Sequence, residues 1–343
     1  MKGNEAVVFG ALFGGATHYF GYPITPASEI AHTAALYYPL LGREFLQAEC
    51  EVASINMLYG AASAGARVMT GTSGPGLSLM GEGLSYIASA ELPCVVVDVQ
   101  RTGPGLGSIW PEQSDYNCTV KGGGHGNYNS IVMAPNSAQE MCDFAYRAFD
   151  LAEKYRMPLI ILSDAYIGQM MEPVSIPRKM KVNPKKDWAV YADAESRKNL
   201  ISSIFMNPIE MSKHNDKLQK KLEDLEKYDV EFEEFKTDDA EYLFVAYGIC
   251  SRICRSSIQM LRKKGVKAGM LRPKTLLPFP TRRIAELGKK ARKTIVVELS
   301  NGQMFADVRL SLIGQEKPLL FNWVGGLVPS PEEIMERLEK EIK

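Results

Sequence analysis

The sequence of 343 residues contains few cysteines, and their spacing does not suit a metal site. The six cysteines include no Cys-x2-Cys pair, which excludes a zinc half-site of that type and the ligand run of a bacterial iron–sulfur cluster. Cys250 and Cys254 lie one helical turn apart, a spacing that fits half a metal site but is more common at two half-buried helix positions. We therefore interpret all six as reduced thiols and expect no metal ligand in this chain.

The sequence also lacks an excess of either charge and a long apolar run. Forty basic residues balance forty acidic ones, which leaves no electrostatic footprint for nucleic acid or for an anionic membrane. No apolar stretch reaches the roughly 18 residues of a membrane span, and the first residues do not contain the apolar core of a signal peptide. We therefore expect a cytoplasmic protein that binds neither nucleic acid nor membrane.

Two common nucleotide-binding motifs are missing as well. Residues 103–107 (Gly-Pro-Gly-Leu-Gly) do not have the Gly-x-Gly-x-x-Gly spacing of a dinucleotide site. Residues 71–76 (Gly-Thr-Ser-Gly-Pro-Gly) offer backbone N–H groups at a helix start, but they lack the Gly-Lys-Ser/Thr of a P-loop. These absences argue against a single-chain nucleotide enzyme or dehydrogenase.

Alternating strand and helix patterns dominate the sequence. The nearly all-apolar stretch 93–99 is typical of a central parallel strand that helices cover on both faces. The glycine-rich segment 100–130 has no clear period, which predicts a long functional loop.

The pattern changes once along the chain. Residues 174–240 include a strongly charged helix at 213–228, whose mixed signs suit a solvated face, and strand–helix alternation then resumes. We predict an α/β protein with two doubly wound parallel-sheet domains, 1–173 and 241–343, joined by the charged connector 174–240.

Residues 22–26 (Tyr-Pro-Ile-Thr-Pro) interrupt the first of these domains. Each proline fixes φ, lacks an N–H and favours an extended preceding residue, so the run does not fit inside a helix or a paired strand. It predicts a rigid elbow that presents Tyr22 and Thr25, with Pro26 at the first position of a helix over 26–38. A purely structural strand-to-helix turn explains the same pattern equally well.

This elbow is similar to the signature of the α subunit of 2-oxoacid:ferredoxin oxidoreductases. Further stretches resemble the same family in the same order along the chain. They are 49–51 (Glu-Cys-Glu), 71–76, 100–105 (Gln-Arg-Thr-Gly-Pro-Gly), 111–115 (Pro-Glu-Gln-Ser-Asp), 121–126 (Lys-Gly-Gly-Gly-His-Gly), 163–164, 172–173 and Glu298 with Gly302 and Gln303. The resemblance therefore covers nearly the whole chain. The last stretch we assign only to packing or to a subunit interface.

The resemblance implies an activity and a cofactor. Family members are thiamine-diphosphate enzymes of anaerobic metabolism that oxidatively decarboxylate pyruvate, 2-oxoglutarate or branched-chain 2-oxoacids, form acyl-coenzyme A and reduce ferredoxin. In family terms, 1–173 is a thiamine-enzyme pyrimidine domain and 241–343 is a transketolase C-terminal-like domain.

The resemblance also implies partner subunits. The Gly-Asp-Gly motif that holds the cofactor's diphosphate through Mg2+ does not occur in this sequence. In this family the motif lies in the β subunit, and the iron–sulfur clusters lie in a ferredoxin-like γ subunit or in β. We therefore expect this chain to supply half of a shared site, with ferredoxin, coenzyme A and a 2-oxoacid as further partners. A non-catalytic assembly subunit is the alternative.

Glu51 is the candidate activating residue. Its position in the run Glu-Cys-Glu-Val-Ala matches the family glutamate whose carboxylate hydrogen-bonds the pyrimidine ring. The predicted helix 49–66 places Glu51 in its first turn, where an ordinary acid that complements the helix dipole is the alternative. That alternative suits Glu49 equally well, and only the motif separates the two.

Arg101 and Thr25 are the candidate substrate contacts. Arg101 follows the apolar strand at the carboxyl end, where ligands bind in open α/β sheets, and its guanidinium matches a carboxylate in shape and charge. The family's residue that binds the substrate carboxylate falls at this position. A loop arginine paired with a surface acid is the alternative. Thr25 matches the family residue that hydrogen-bonds the substrate near its keto group.

Five further residues complete the predicted site. Tyr22, Pro23, Ser73 and Gly74 are expected to approach the cofactor, since the turn 71–76 suits close backbone approach to the pyrimidine ring or to a subunit interface. His125 is a secondary candidate, because a histidine between glycines could donate a proton or contact the substrate, but it could equally cap its loop.

Residues 103–115, which we call the lid, are expected to select the substrate. The lid contains Leu106, Ile109 and Trp110 and has no lysine or arginine before Lys121, which favours an apolar side chain over a second carboxylate. The stretch 121–126 also resembles the 2-oxoisovalerate branch of the family. We predict 2-oxoisovalerate as the substrate, with 2-oxoglutarate or pyruvate as alternatives, because the β subunit also shapes the pocket.

Overall fold

Two β-sheets with helices on both faces form the computed structural model, which describes residues 1–342. The strands in chain order are β1 (His18–Gly21), β2 (Glu44–Gln47), β3 (Val68–Thr72), β4 (Cys94–Gln100), β5 (Ile131–Met133), β6 (Pro158–Asp164), β7 (Phe232–Phe235), β8 (Tyr242–Val245), β9 (Ala268–Pro273), β10 (Thr275–Leu277), β11 (Lys293–Glu298) and β12 (Leu319–Asn322). The first sheet has the order β10-β5-β6-β4-β3-β1-β2, and the second has the order β12-β11-β8-β9-β7.

Helices connect most of these strands. They are α1 (Gly3–Phe13), α2 (Ser28–Leu40), α3 (Glu51–Ser63), α4 (Gly74–Ser89), α5 (Tyr116–Val120), α6 (Ala138–Tyr155), α7 (Ala165–Gln169), α8 (Pro208–Tyr228), α9 (Gly248–Lys263), α10 (Thr281–Gly288), α11 (Gln303–Ser311) and α12 (Pro331–Glu341). Across residues 1–342, no helix is both long enough and apolar enough to cross a bilayer.

Strand β4 shows why helices cover both faces of the first sheet. Every residue of β4 is buried, and successive side chains of a strand point to opposite faces. Val95 and Val97 join the core beneath α1, α2 and α6, whereas Cys94 and Val96 join the core beneath α3 and α4. The strand pairs in parallel with β3 and β6, which confirms the predicted central strand.

The second sheet is covered in the same way. Ile258 of α9 and Leu338 of α12 pack on one face, and Ile284 of α10 and Val308 of α11 pack on the other. Three of its four strand pairings are parallel. The predicted α/β fold with two doubly wound, mainly parallel sheets is confirmed.

Two short antiparallel edge strands link the units more closely than the sequence suggested. β10 follows β9 in the chain but pairs with β5, so it forms an edge of the first sheet. β7 lies within the segment interpreted as a connector and pairs with β9 at an edge of the second sheet. Neither strand was predicted, because each is too short for a period to be visible. The domain limits at 173 and 240 stay a prediction.

Two helices near the elbow begin later than predicted. Helix α2 begins at Ser28 rather than at Pro26, because residues 24–27 form a tight turn in which the Ala27 N–H donates to the Ile24 carbonyl over 2.8 Å. Placing Pro26 at the first helical position was therefore wrong. Helix α3 begins at Glu51 rather than at 49, since Cys50 is fully extended.

The charged helix α8 is longer and less solvated than its sequence indicated. It begins at Pro208, because the Asn207 side chain accepts a hydrogen bond from the Ile209 N–H over 2.9 Å. One side packs on the first unit, where His214 Nε2 donates to the Ser89 carbonyl and Lys221 pairs with Glu91. Some charged residues of this helix thus bind the first unit, and the others face solvent.

A buried arginine ties the two units together. Arg272 of β9 is 1% exposed, and its Nη1 and Nη2 atoms donate to the two oxygens of Glu140 in α6, each over 2.7 Å. Its Nε donates to Glu233 of β7 over 3.0 Å. A bidentate guanidinium–carboxylate pair away from water depends on all of its partners, because either charge alone would be costly to bury.

We therefore expect Arg272→Met to lower the free energy of unfolding by about 3 kcal/mol, because Glu140 and Glu233 lose their shared cation. Urea unfolding of the full chain measures this loss. The matched control is Arg282→Met, whose side chain is 94% exposed, and which should change stability by less than about 0.5 kcal/mol. Equal losses in the two variants would contradict the importance of the buried network.

Candidate active site

The candidate residues gather at one edge of the first sheet. Strands β4, β3, β1 and β2 are neighbours and parallel, so their carboxyl ends meet at the same edge. Arg101 follows β4, Ser73 follows β3, the elbow follows β1, and Glu51 comes shortly after β2. This edge of an open parallel sheet is where ligands bind in doubly wound folds.

Glu51 is the first residue of α3 and is 6% exposed. Its side chain lies against Gly76 and Thr72. A Cβ atom added to Gly76 would lie 2.6 Å from Glu51 Oε1 and 2.3 Å from Thr72 Oγ1, so the absence of a side chain at residue 76 makes room for the carboxylate. Glu49 is exposed. Glu51 is thus buried and Glu49 is not, a difference that the expected interaction with the helix dipole did not reveal.

The start of α4 offers polar atoms without protein partners. Ser73 precedes the helix, yet its side chain caps no N–H, and its buried Oγ has no hydrogen-bond partner. Such orphaned buried polar groups are rare unless a ligand satisfies them. Gly74 follows, and the Asp115 carboxyl group occupies the space where a side chain of residue 74 would lie. This arrangement suits the close approach of a cofactor ring beside Glu51.

Arg101 joins the elbow to the lid. Its Nη1 donates to the Thr25 carbonyl over 2.8 Å, and its Nη2 donates to the Leu106 carbonyl over 3.0 Å. The buried Nε has no partner, and the residue is 9% exposed. Because both filled contacts are neutral carbonyls, the positive charge is not neutralised by a paired acid. An anionic ligand could therefore pair with it.

A largely apolar cavity opens beside the elbow. Its volume is about 550 Å³, and its lining includes Thr25, Ile109, Trp110 and Tyr166. Glu29 also lines this cavity and is held by Lys2, whose Nζ donates to it over 2.8 Å. Burial opposes its ionisation, but hydrogen bonds from Lys2, Asn4 and Gln169 prevail and lower the pKa of Glu29 to about 2. The Glu29 carboxylate in the cavity wall is therefore already paired with the Lys2 ammonium, and the lining contains no lysine or arginine.

Three other predicted residues lie at the rim of the candidate site or away from it. Tyr22 is 38% exposed and Pro23 is half-buried at the rim of the elbow. His125 lies away from the cluster, because it contacts Ser85 and Tyr86 near the far end of α4. Ser85 follows Gly74 by eleven helical positions, or about 16 Å. Within this chain His125 is not brought to Glu51 or Arg101, and its role stays a prediction.

Glu112 and Gln113 in the lid were not predicted as functional. Glu112 accepts from the Gly103 N–H over 3.0 Å and, across the units, from the Gly325 N–H over 2.8 Å. Gln113 is fully buried and bonds both ways to the backbone of Leu299, with its Nε2 donating to the Tyr247 carbonyl over 3.1 Å. The second unit therefore anchors the lid.

A pair of buried acids was also missed. Asp98 in β4 is fully buried, and its carboxyl group lies within hydrogen-bonding reach of Asp115 at the end of the lid. Burial, followed by the neighbouring Asp115 charge, raises the pKa of Asp98 well above its usual value. An acid in an otherwise apolar strand was the available signal. For metal ions, the part of the chain from 1 to 342 contains no group of three or more histidine, cysteine or acidic side chains suited to hold one.

Open-sheet α/β enzymes bind their ligands at the carboxyl edge of a parallel sheet, and this chain has its ionisable and hydroxyl side chains at that edge. The family described as pyruvate flavodoxin/ferredoxin oxidoreductase, thiamine diphosphate-binding, matches residues 9–234, and pyruvate:ferredoxin oxidoreductase core domain II matches 240–334. The chain belongs to the 2-oxoacid:ferredoxin oxidoreductase family and is a subunit of such an enzyme.

Relatives with assigned names support this membership. The chain is 52% identical over 341 residues to ketoisovalerate oxidoreductase subunit VorB of Methanothermobacter marburgensis, covering 99% of this chain and 97% of that one. It is 35% identical to 2-oxoglutarate synthase subunit KorA of the same organism over 366 residues, covering 98% and 97%. The subunit names indicate an oxidoreductase built from several chains.

Solved structures agree with the fold. The 2-oxoglutarate:ferredoxin oxidoreductase from Magnetococcus marinus, solved with 2-oxoglutarate, coenzyme A and succinyl-CoA bound, superposes with a TM-score of 0.90 at 30% identity. The match covers all of this chain but 65% of that one, so this chain spans about two thirds of its relative. A split-gene transketolase, an inactive β4 tetramer, matches at 12% identity with a TM-score of 0.61 and supports the fold alone.

Two glycine variants test the packing around Glu51. Gly76→Ala should destabilise the chain by about 1–3 kcal/mol, because the new methyl group overlaps Glu51 and Thr72. Gly60→Ala in α3 meets no atom within 4 Å and should stabilise the chain by about 0.5–1 kcal/mol, because alanine suits a helix interior better than glycine. Urea unfolding of the full chain compares them, and a stabilising Gly76→Ala would contradict the close packing.

Proposed function

We propose that this chain is the α subunit that supplies half of the active site of a 2-oxoisovalerate:ferredoxin oxidoreductase. The observation that carries the proposal is the buried Glu51 carboxylate, which lies beside Gly76 at the carboxyl edge of the first sheet. The helix that contains Gly76 is preceded by Ser73, whose buried hydroxyl has no partner. Thiamine diphosphate would supply the electron sink for decarboxylation. The residues described fit such a group, because the buried Ser73 hydroxyl has an unfilled hydrogen bond and Gly76 leaves room for the Glu51 carboxyl group beside it.

Under this proposal Glu51 holds the cofactor's pyrimidine ring. A carboxylate in a mostly dry pocket makes a strong hydrogen bond to a ring nitrogen, because little water competes for it. Tyr22, Pro23, Ser73 and Gly74 form the neighbouring wall. Glu49, which is exposed, has no such role.

Arg101 would bind the carboxylate of the 2-oxoacid. Its guanidinium is already oriented by the Thr25 and Leu106 carbonyls, so binding costs little additional ordering. The unpaired Nε and the positive charge remain for an anion. Thr25, whose side chain lies at the cavity, would hydrogen-bond near the keto group.

The cavity favours a branched apolar substrate over a second carboxylate. Ile109 and Trp110 line it, Glu29 is already paired with Lys2, and no lysine or arginine is among its lining residues. A distal carboxylate would find no free cation among these residues, whereas an isopropyl group would gain about 1–2 kcal/mol from burial. A relative 52% identical over nearly its whole length is named a ketoisovalerate oxidoreductase subunit, in accord with this choice.

The rest of the catalytic apparatus would reside in partner chains. Because the sequence has no Gly-Asp-Gly motif and no cluster-binding cysteine pattern, a β subunit would hold Mg2+ and the diphosphate, and β or a ferredoxin-like γ subunit would hold the iron–sulfur clusters. Electrons would pass to ferredoxin and the acyl group to coenzyme A. This proposal places the complex in the cytoplasm.

The test is viologen reduction by this chain co-produced with its β and ferredoxin-like partners, assayed anaerobically with coenzyme A and several 2-oxoacids. We expect the highest kcat/KM with 2-oxoisovalerate and a loss of at least about 100-fold in Glu51→Gln. Glu49→Gln is the matched control and should retain activity. If Glu51→Gln is as fast as the wild type, the assembly-subunit alternative is favoured. A preference for 2-oxoglutarate or pyruvate would overturn the substrate alone.

The half-site idea has its own measurement. Isothermal titration of the isolated chain with thiamine diphosphate and Mg2+ should show weak binding, because the chain lacks the Gly-Asp-Gly motif that would hold the diphosphate. The assembled complex should bind at least about 100-fold more tightly. Tight binding by the isolated chain would contradict a shared site.

A further inference from the structure

The carboxyl groups of Asp98 and Asp115 face each other where the lid returns to the sheet. Asp98 is fully buried, and neither of its oxygens receives a hydrogen bond from a donor group of residues 1–342. The Oδ2 atom of Asp115 is likewise without a donor. Yet the two side chains lie within hydrogen-bonding reach of each other. Two acceptors can bond only if a proton lies between them.

The surrounding charges do not remove this need. Arg101 attracts Asp115 from a distance, but its Nη atoms are occupied by the Thr25 and Leu106 carbonyls. Glu112 adds a second negative charge from the lid. Cys118 of α5 lies near both acids, and burial followed by their charges raises the pKa of its thiol to about 11, so it stays neutral. On the sheet side, Thr72 is the register partner of Asp98, and its hydroxyl lies with the Glu51 carboxyl group against Gly76.

The pair also lies at a mechanically important position. Asp115 is the last residue of the lid, and its N–H donates to the Gln100 side chain of β4 over 3.1 Å. Its carboxylate lies against Gly74, where a Cβ atom would be 2.9 Å from either oxygen. Asp98 and Gln100 alternate with Val97 and Val99, so both point to the same face of β4 and hold the same end of the lid.

We propose that Asp98 and Asp115 share one proton, and that this hydrogen bond fastens the end of the lid to β4 as a pH-sensitive latch. Asp98 is then a positioning residue, because it acts on the site through Asp115 and the lid. When the shared proton is lost to solvent, two like charges meet in a buried place and the end of the lid separates from the sheet. The latch itself does not depend on the proposed function; only its test by the KM of the assembled complex does.

The pH dependence has a definite sign. Burial raises the pKa of both acids above their values in the unfolded chain, that of Asp115 to about 6 and that of Asp98 well above its usual value. The folded chain therefore binds more protons than the unfolded chain in this range. Above about pH 6 Asp115 is ionised and accepts a hydrogen bond from the proton that stays on Asp98, and the latch weakens only as pH rises further, through the raised pKa of Asp98. One released proton changes the equilibrium by at most tenfold per pH unit.

Hydrogen–deuterium exchange on the purified full chain tests the latch without catalysis. Protection factors of lid amides, corrected for intrinsic exchange, should fall about tenfold at alkaline pH in the wild type, as the proton on Asp98 is lost. In Asp98→Asn they should stay constant, because the amide donates to Asp115 and cannot lose a proton. In Asp98→Val they should be low at every pH. Asp238→Asn, an exposed control, should behave as the wild type.

The assembled complex gives the second readout. KM for the 2-oxoacid should rise at alkaline pH in the wild type but not in Asp98→Asn, because an open lid binds the substrate less well. The value of kcat should change less, because Arg101 is held at the other end of the lid and stays in place. Identical pH profiles in wild type and Asp98→Asn would overturn the latch. Low protection at every pH in Asp98→Asn would overturn it too. If the exchange results hold but the complex turns over no 2-oxoacid, the latch stands and the proposed function fails.

Discussion

The meeting of four parallel strand ends at one sheet edge is the constraint on which the candidate site depends. Glu51, Ser73, Thr25 and Arg101 lie on four separate segments, and the register of β2, β1, β3 and β4 brings those segments together. A shift of one residue in any pairing would turn side chains to the opposite face. Because β3 and β4 are buried on both faces, their hydrophobic packing holds the register at the centre of the sheet. The packing of the core thereby determines the geometry of the polar residues at this edge.

Gln113 extends this constraint to the second unit. Its backbone and side chain both bond to Leu299, and its Nε2 reaches the Tyr247 carbonyl. The Gln113 side-chain amide is fully buried and makes its hydrogen bonds to residues of the second unit, so these bonds favour one relative orientation of the two units. Glu112 adds the contact to Gly325. The second unit, which contributes none of the predicted substrate contacts, therefore still holds the lid in place at Glu112 and Gln113.

Much of the fold followed from local patterns, whereas the site required contacts that sequence spacing does not encode. The apolar run of β4 predicted a central strand, and the glycine-rich stretch predicted the loop that holds the lid. The start of α2 was wrong because the turn after Ile24 is satisfied by its own backbone hydrogen bond. The motif singled out Glu51, but burial, a tertiary property, distinguished it from Glu49 physically. Gln113 could not be interpreted beforehand, since its partners lie 134 and 186 positions away.

The contact between the lid and the turn at 325–326 has a consequence for how such enzymes can diverge. A Cβ atom at Gly326 would lie 2.5 Å from Trp110 Cβ, and its φ of +86° is one that other residues rarely adopt. The lid and this turn are encoded more than 200 positions apart. A genetic crossover between them would join a lid from one parent to a turn from another and would break their fit. New substrate preferences are therefore expected to be inherited as paired changes in both segments.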